Sequence, residues 1–347
     1  MAITYHAGRR IQATQADFDG TPAVSGGWKE LARTTLGSAG DTINVTGLAD
    51  KRYLMILKSF SGSTSGHDRF NGDSGSNYAG RYHASGTDYP LTNRTAYPWH
   101  NAGYSSTPNL VIDYVSNLAN KEKLIHRDWV YQYTAGAGNA PRRAETVAKW
   151  ANTSDSINAT SMYSSVGNWN SGSEVVVLGW DPDDTHTDNF WEQLADVTLS
   201  GASSSLDSGT ITAKKYLWYQ VFIKKNSASN NYTEHSINGI TTGNTWARRI
   251  SSNGGTDGTN TSQNTMNTTD TGAGGYFLNG FVINSSGQEK LFIEHVIQNT
   301  SSGVGNAPDR KEIVMKSTTS AQITQLTVTG ATNGYDSGSF IKVWGSN

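Results

Sequence analysis

The chain writes one passage twice. "AGAGNAPRRAETVAKW" runs from Ala135 to Trp150 and "SGVGNAPDRKEIVMK" from Ser302 to Lys316, each placing Arg, Glu and Lys at the same distances after Gly-Asn-Ala-Pro. The copies are not alone. Trp28 and Trp191 open similar stretches 163 residues apart, and Lys51-Arg52-Tyr53-Leu54 recurs at the same offset as Lys214-Lys215-Tyr216-Leu217. "NYAGRY" from Asn77 matches "TWARRI" from Thr245 at 168, the Gly-Asn-Ala-Pro passages differ by 167, and "SGSEVVVLGW" from Ser171 matches "SGSFIKVWGSN" from Ser337 at 166. Matches that stay collinear over this distance mark a duplicated domain, because a unit of this size is far longer than a solenoid repeat of roughly 20–50 residues. The chain divides into an N-terminal arm (1–27), a first repeat (28–180), an acidic connector (181–190) and a second repeat (191–347).

Within each repeat the apolar period is two. Leu110, Ile112 and Tyr114 alternate with Val111, Asp113 and Val115, and Leu217, Tyr219, Val221 and Ile223 alternate around Gln220, as strands require. Abundant Gly, Ser, Thr and Asn weaken helices, while 10 Trp, 16 Tyr and 9 Phe provide more large buriable groups than a disordered chain carries. About eight strands per repeat are legible, at "ELARTTL", "TINVTGL", "RYLMILK", "YAGRYH", "NLVIDYV", "KLIHRDWVYQY", "AETVAKWA" and "SEVVVLGW", with "SINATSMY" a ninth. The expected fold is all-β: two tandem, homologous, jelly-roll-like antiparallel β-sandwich domains preceded by a short arm. An immunoglobulin-like sandwich is the near rival. The Gly-Asn-Ala-Pro passage reads as a corner, its Gly and Asn able to take left-handed conformations and its Pro set where the next strand begins.

Comparing the repeats predicts which faces are wet. Val175 and Val177 match Ile341 and Val343 and should be inside, while Val176 matches Lys342 and should tolerate water. Leu124 and Leu291 should be inside, and Arg127 with Glu294 outside. Asp128 matches His295, which argues for an exposed position, and His126 matches Ile293, which argues for a packed strand residue.

No catalytic centre is legible. Glu122 and Glu145, mirrored by Glu289 and Glu312, sit beside Lys121, Lys123, Arg143 and Lys149 and read as solvated strand pairs rather than an acid/base dyad. Eight scattered His show no metal-ligand spacing, and the absence of Cys excludes disulfides and thiolate metal sites. Calcium could be held by "NGDSGSNY" from Asn71 or, in the connector, by Asp181, Asp183, Asp184 and Asp188, although a turn and hydrated carboxylates are the simpler readings. A formal charge of −2 gives no net attraction to nucleic acid. The first residues, "MAITYHAGRRIQ", do not read as a secretory signal, and no apolar run near 20 residues suggests a membrane span. The cluster Tyr97, Trp99 and Tyr104 has no aromatic counterpart in the second repeat, so the fold does not demand it. It is the candidate contact surface for protein or glycan.

The phrases "GRRIQ", "LGSAGDTINV", "KRYLMILK", "FNGDSGSNYAGRY", "GNAPRRAE" and "SGSEVVVLGWDP" resemble a group of virion structural proteins of tailed phages, common in marine viral sequences. That resemblance covers both repeats and implies a particle component, a capsid decoration or an appendage subunit. It implies assembly in the host cytoplasm beside other virion proteins, as a homo-oligomer, with no catalytic residues. Arg9, Arg10 and Ile11 in the arm are then expected to lie along a neighbouring subunit. A carbohydrate-binding or host-recognition adhesin is the alternative reading, and a polysaccharide-cleaving enzyme a distant third.

Overall fold

The computed structural model describes residues 27–347 except 64, 85–86, 98–106, 226–232, 270–274, 300–302 and 331–333. The first repeat contributes β1 (Lys29–Thr35), β2 (Thr42–Thr46), β3 (Tyr53–Phe60), β4 (Ser65–Phe70), β5 (Tyr78–Ala84), β6 (Thr87–Arg94), β7 (Asn109–Ser116), β8 (Lys123–Tyr131), β9 (Arg142–Trp150), β10 (Ala159–Val166) and β11 (Glu174–Trp180). The second contributes β12 (Glu192–Thr198), β13 (Ser205–Asp207), β14 (Tyr216–Ile223), β15 (Thr233–Ile237), β16 (Trp246–Ser252), β17 (Gly258–Gln263), β18 (Met266–Asn267), β19 (Tyr276–Ile283), β20 (Lys290–Gln298), β21 (Asp309–Ser317), β22 (Leu326–Gly330) and β23 (Phe340–Ser346). The expected strands all form. β4 and β6 escape the alternation rule because β4 turns Asp68 toward the core and β6 is an exposed edge strand carrying Pro90.

The large sheet of the first sandwich runs β1-β11-β3-β7-β8-β9-β5-β6, and that of the second runs β12-β23-β14-β19-β20-β21-β16-β17, the same order strand for strand. The small sheets, β2-β10-β4 and β13-β22-β15-β18, agree likewise, with β18 added at one edge. Register agrees too: Leu57 pairs with Val176 and Ile112, and its counterpart Gln220 pairs with Lys342 and Asn279. Two tandem jelly-roll-like sandwiches therefore share one blueprint. Each fills the space between its sheets with alternate residues, Ile43, Ile56, Trp129, Met162 and Val177 in the first and Leu206, Tyr219, Val296, Val328 and Val343 in the second.

The repeated passage is a corner in both copies. Gly136 and Gly303 adopt φ of 86° and 93°, Asn139 and Asn306 each donate an N–H back to them, and β9 and β21 begin directly after Pro141 and Pro308.

A third apolar layer changes the reading of the faces. The outer faces of the two large sheets pack on each other, joining Met55, Leu57, Leu110, Ile112, Val130, Val176 and Leu178 of the first sandwich to Trp191, Tyr216, Phe281, Ile283, Leu291, Ile293 and Val314 of the second. Middle strands are buried on both sides, so β3 is buried continuously from Leu54 to Lys58. This overturns several expectations. Val176 is fully buried although Lys342 is not, and Leu124 is 58% exposed although Leu291 is buried. Arg127 and Glu294, expected outside, lie between the sheets of their own sandwiches with no exposure. Comparing repeats position by position assumes both see one environment; here each sandwich buries a different part of the same face.

Candidate binding surface and the charged seam

The uncovered part of the first sandwich's outer face is a groove of about 550 Å³ lined by Trp28, Tyr53, Tyr114, Leu124, Val147 and Trp180. Its rings form a continuous wall: Tyr53 stacks on Trp180 at 5.5 Å between centroids, and Trp28 meets Trp180 at 6.2 Å. Ser116 and His126 also line it, Ser116 between Tyr53 and Leu124 and His126 between Tyr114 and Val147, with the His126 ring 6.3 Å from that of Tyr114. Far from packed, the His126 side chain is 48% exposed. Such a surface binds by shape and apolar contact.

Beside the apolar seam the two sandwiches meet through charge. Asp128 and Glu145 stand opposite each other on β8 and β9, and their counterparts His295 and Glu312 stand opposite each other on β20 and β21. His295 Nε2 reaches Asp128 Oδ1 at 3.4 Å. Arg143 pairs with Glu145 on its own sandwich, and with Glu312 and Asp257 of the other at 3.0 Å each. Asp128 is thus buried rather than exposed, and Glu145 belongs to a shielded network rather than a solvated pair. Burial alone would lower the His295 pKa, but the hydrogen bond and charge of Asp128, with Glu145 and Glu312 behind it, push it up to about 9. Burial raises Glu145, as do Glu312 and Asp128, against the pull of Arg143. The ligand atoms of Asp128, Glu145 and His295 lie within 4.8 Å of one another and could in principle meet a divalent ion, but imidazolium and guanidinium already balance these carboxylates.

A second pair of clusters lies inside the sandwiches. In the first, Lys58 bonds Asp68 at 2.7 Å and Asp113 at 2.8 Å, while Arg127 holds Asp113 through Nε at 2.6 Å and Nη2 at 2.8 Å and also reaches Asp68. Two cations face two anions, all fully enclosed. Burial would raise Asp113, but Arg127 and Lys58 hold it below the ordinary carboxylate range. In the second sandwich the same four positions read Val221, His235, Gly280 and Glu294. The charges are gone and the space is refilled: Ile56 becomes Tyr219, whose hydroxyl donates to Glu294, and Gly280 is required because a Cβ there would sit 2.4 Å from the Tyr219 ring. Burial pushes Glu294 up to about 8, against opposing pulls from Tyr219, Arg248 and His295, and lowers His235 to about 3.

The remaining sequence candidates separate. Tyr97 is no contact residue: it is buried, with Arg127 stacked 4.2 Å above its ring and its N–H donated to Asp68 O. Trp99, Tyr104, Arg9, Arg10 and Ile11 lie outside the described residues. Three of the four connector acids are held by groups of the first repeat, Asp181 and Asp184 both approaching Lys51. Asp184 pairs with Lys51, Asp181 accepts from the Arg52 N–H at 3.0 Å, Asp188 pairs with Lys29 at 2.8 Å, and Asp183 is exposed. In "NGDSGSNY", Asn71 and Gly72 make the left-handed turn and Asp73 accepts from Trp150 Nε1 at 2.7 Å, so that carboxylate is structural. Glu122 and Lys149 do form an exposed pair, at 2.8 Å. The groove is not legible in the sequence because its members are scattered from Trp28 to Trp180; its one signal is that Tyr53, Tyr114, Leu124 and Val147 match Tyr216, Phe281, Leu291 and Val314, equally apolar in the second repeat.

No family model matches the sequence, and no curated protein matches it. Among solved structures, the LG1-3 region of the laminin α2 chain is similar at 8% identity over 88% of this chain and 68% of that one, with a TM-score of 0.21. Domains LG4-5 of the mouse laminin α1 chain are similar at 11% identity over 93% and 91%, with a TM-score of 0.17. Scores this low carry nothing about function.

Proposed function

We propose that this chain is a non-enzymatic structural subunit of a tailed-phage particle, a capsid decoration or an appendage component. One observation supports the reading above others: among the described residues, the groove of the first sandwich is apolar and aromatic, whereas the clusters around Arg127 and Arg143 are enclosed between sheets and internally neutralised. Catalysis needs a titratable group that reaches a bound substrate. Docking needs only the groove. The phrase-level resemblance to phage virion proteins supplies the particle context.

Quantitative mass spectrometry of purified particles tests this. The protein should appear in a fixed, integral ratio to the major capsid protein; abundance in infected-cell lysate together with absence from particles would overturn the proposal. The glycan reading draws on the Tyr53–Trp180 stack, since flat rings suit pyranose faces. It predicts glycan-array binding that Tyr53→Ala removes.

A further inference from the structure

The groove of the first sandwich and the docking surface of the second are the same surface, used in one copy and open in the other. In the second sandwich Tyr216, Phe281, Leu291, Ile293 and Val314 form a socket that is buried against the first. Their counterparts in the first sandwich are Tyr53, Tyr114, Leu124, His126 and Val147, and these line the groove. Leu124 and Val147 are left 58% and 53% exposed, where Leu291 and Val314 are covered.

The plug shows the complementary imbalance. Leu110, Val130 and Ala137 of the first sandwich are buried in the seam or at its margin, Ala137 O accepting from the Ser262 N–H. The counterparts of Val130 and Ala137 in the second sandwich, Ile297 and Val304, are 55% and 110% exposed, and Phe222, separated from Ile297 by Phe277 on the strand between, is exposed as well. Apolar side chains of this size, uncovered where their equivalents are covered, mark an interaction surface.

We propose that the groove receives the second sandwich of another copy of this chain, in a head-to-tail contact that repeats the one inside the molecule. A polar clamp carries over with the apolar parts. Within the chain Glu289 accepts from the Gly136 N–H at 2.7 Å and from the Gln132 amide. The counterpart of Glu289 is Glu122, which stands exposed with Lys149, and the counterpart of Gly136 is Gly303, held in the same left-handed conformation. Glu122 would thus take the Gly303 N–H of the next copy. Gln220, Asn279 and Lys342 replace Leu57, Ile112 and Val176 on the plug, so the contact between copies is wetter than the internal one and reversible. A plug that fits a different patch from itself makes a heterologous interface, which closes into a ring or extends as a filament. The proposal stands whether or not the particle role does.

Sedimentation velocity on the full chain, with Leu124→Asp in the socket and Ile297→Asp in the plug, tests this directly. Both residues are exposed in the single chain, so the variants should keep the parent circular dichroism and melting. Wild type is expected to assemble as concentration rises, and each variant alone to self-associate at least about 10-fold more weakly, as loss of a central apolar contact implies. An equimolar mixture should form a 1:1 dimer, because each variant keeps the half the other has lost. A wild type that stays monomeric at about 100 µM, where even contacts in the micromolar class assemble, overturns the proposal. So does a variant that assembles alone as well as wild type, or a mixture that stays monomeric.

Discussion

Arg127→Met is expected to lower the stability of the chain by about 3–5 kcal/mol, the cost of removing one partner from a buried ion network. The residue is fully enclosed and binds both Asp68 and Asp113, so its loss leaves Lys58 alone against two buried carboxylates. The carboxylate that loses its partner has no route to water, and Tyr97 loses the cation over its ring. Removing all four charges together, as Lys58→Met, Asp68→Asn, Asp113→Asn and Arg127→Met, should cost much less than Arg127→Met alone, because no unpaired charge remains. The second sandwich already tolerates an uncharged solution at the same place. Urea denaturation followed by tryptophan fluorescence measures both. A loss below about 1 kcal/mol for the single substitution would mean the network is solvated, contrary to its burial.

Raising the pH from about 6.5 to about 8 should destabilise the chain by about 2 kcal/mol or more, and Glu294→Gln should remove much of that slope. Glu294 is held near 8 when folded and starts from 4.5, so between those values the folded chain keeps a proton that the unfolded chain has released. Stability then falls with rising pH, by at most about 1.4 kcal/mol per unit for one group. His295 acts in the same direction: raised to about 9 from 6.5, its contribution is complete below 6.5 and lost as pH climbs through 9. His235 acts at the acid end. Its folded value of about 3 lies below its ordinary 6.5, so its contribution is present above 6.5 and lost as pH falls toward 3. Glutamine keeps the carbonyl that accepts from Tyr219 without the ionisation. Thermal melting across this range reads the slope, and a Glu294→Gln curve parallel to wild type would contradict the assignment.

The sequence revealed the duplication and the strands because both are local: collinear phrases and a period of two need no knowledge of the tertiary arrangement. Side-chain environments were less legible. Each large sheet carries apolar residues on both faces at its centre, and alternation cannot say which face meets a partner. Val176 against Lys342 looked like a wet position because one sandwich covers it and the other does not. Arg127 and Glu294 looked exposed because they are charged, yet each is neutralised in its own way, by counter-ions in one case and by protonation in the other. The Asp113-to-Gly280 and Ile56-to-Tyr219 exchanges are visible in the sequence, but their coupling becomes evident only when the ring is seen occupying the space. The groove required the same information, since its walls come from strands distant in sequence.

Two sandwiches of one design dock through different parts of the same sheet face. Hydroxyl-radical footprinting of the Ile297→Asp chain, whose groove another copy cannot fill, tests it by comparing equivalent residues within one molecule. Tyr53, Leu124 and His126 should be modified readily, while Tyr216, Leu291 and Ile293 stay protected. Equal reactivity across these pairs would contradict this docking.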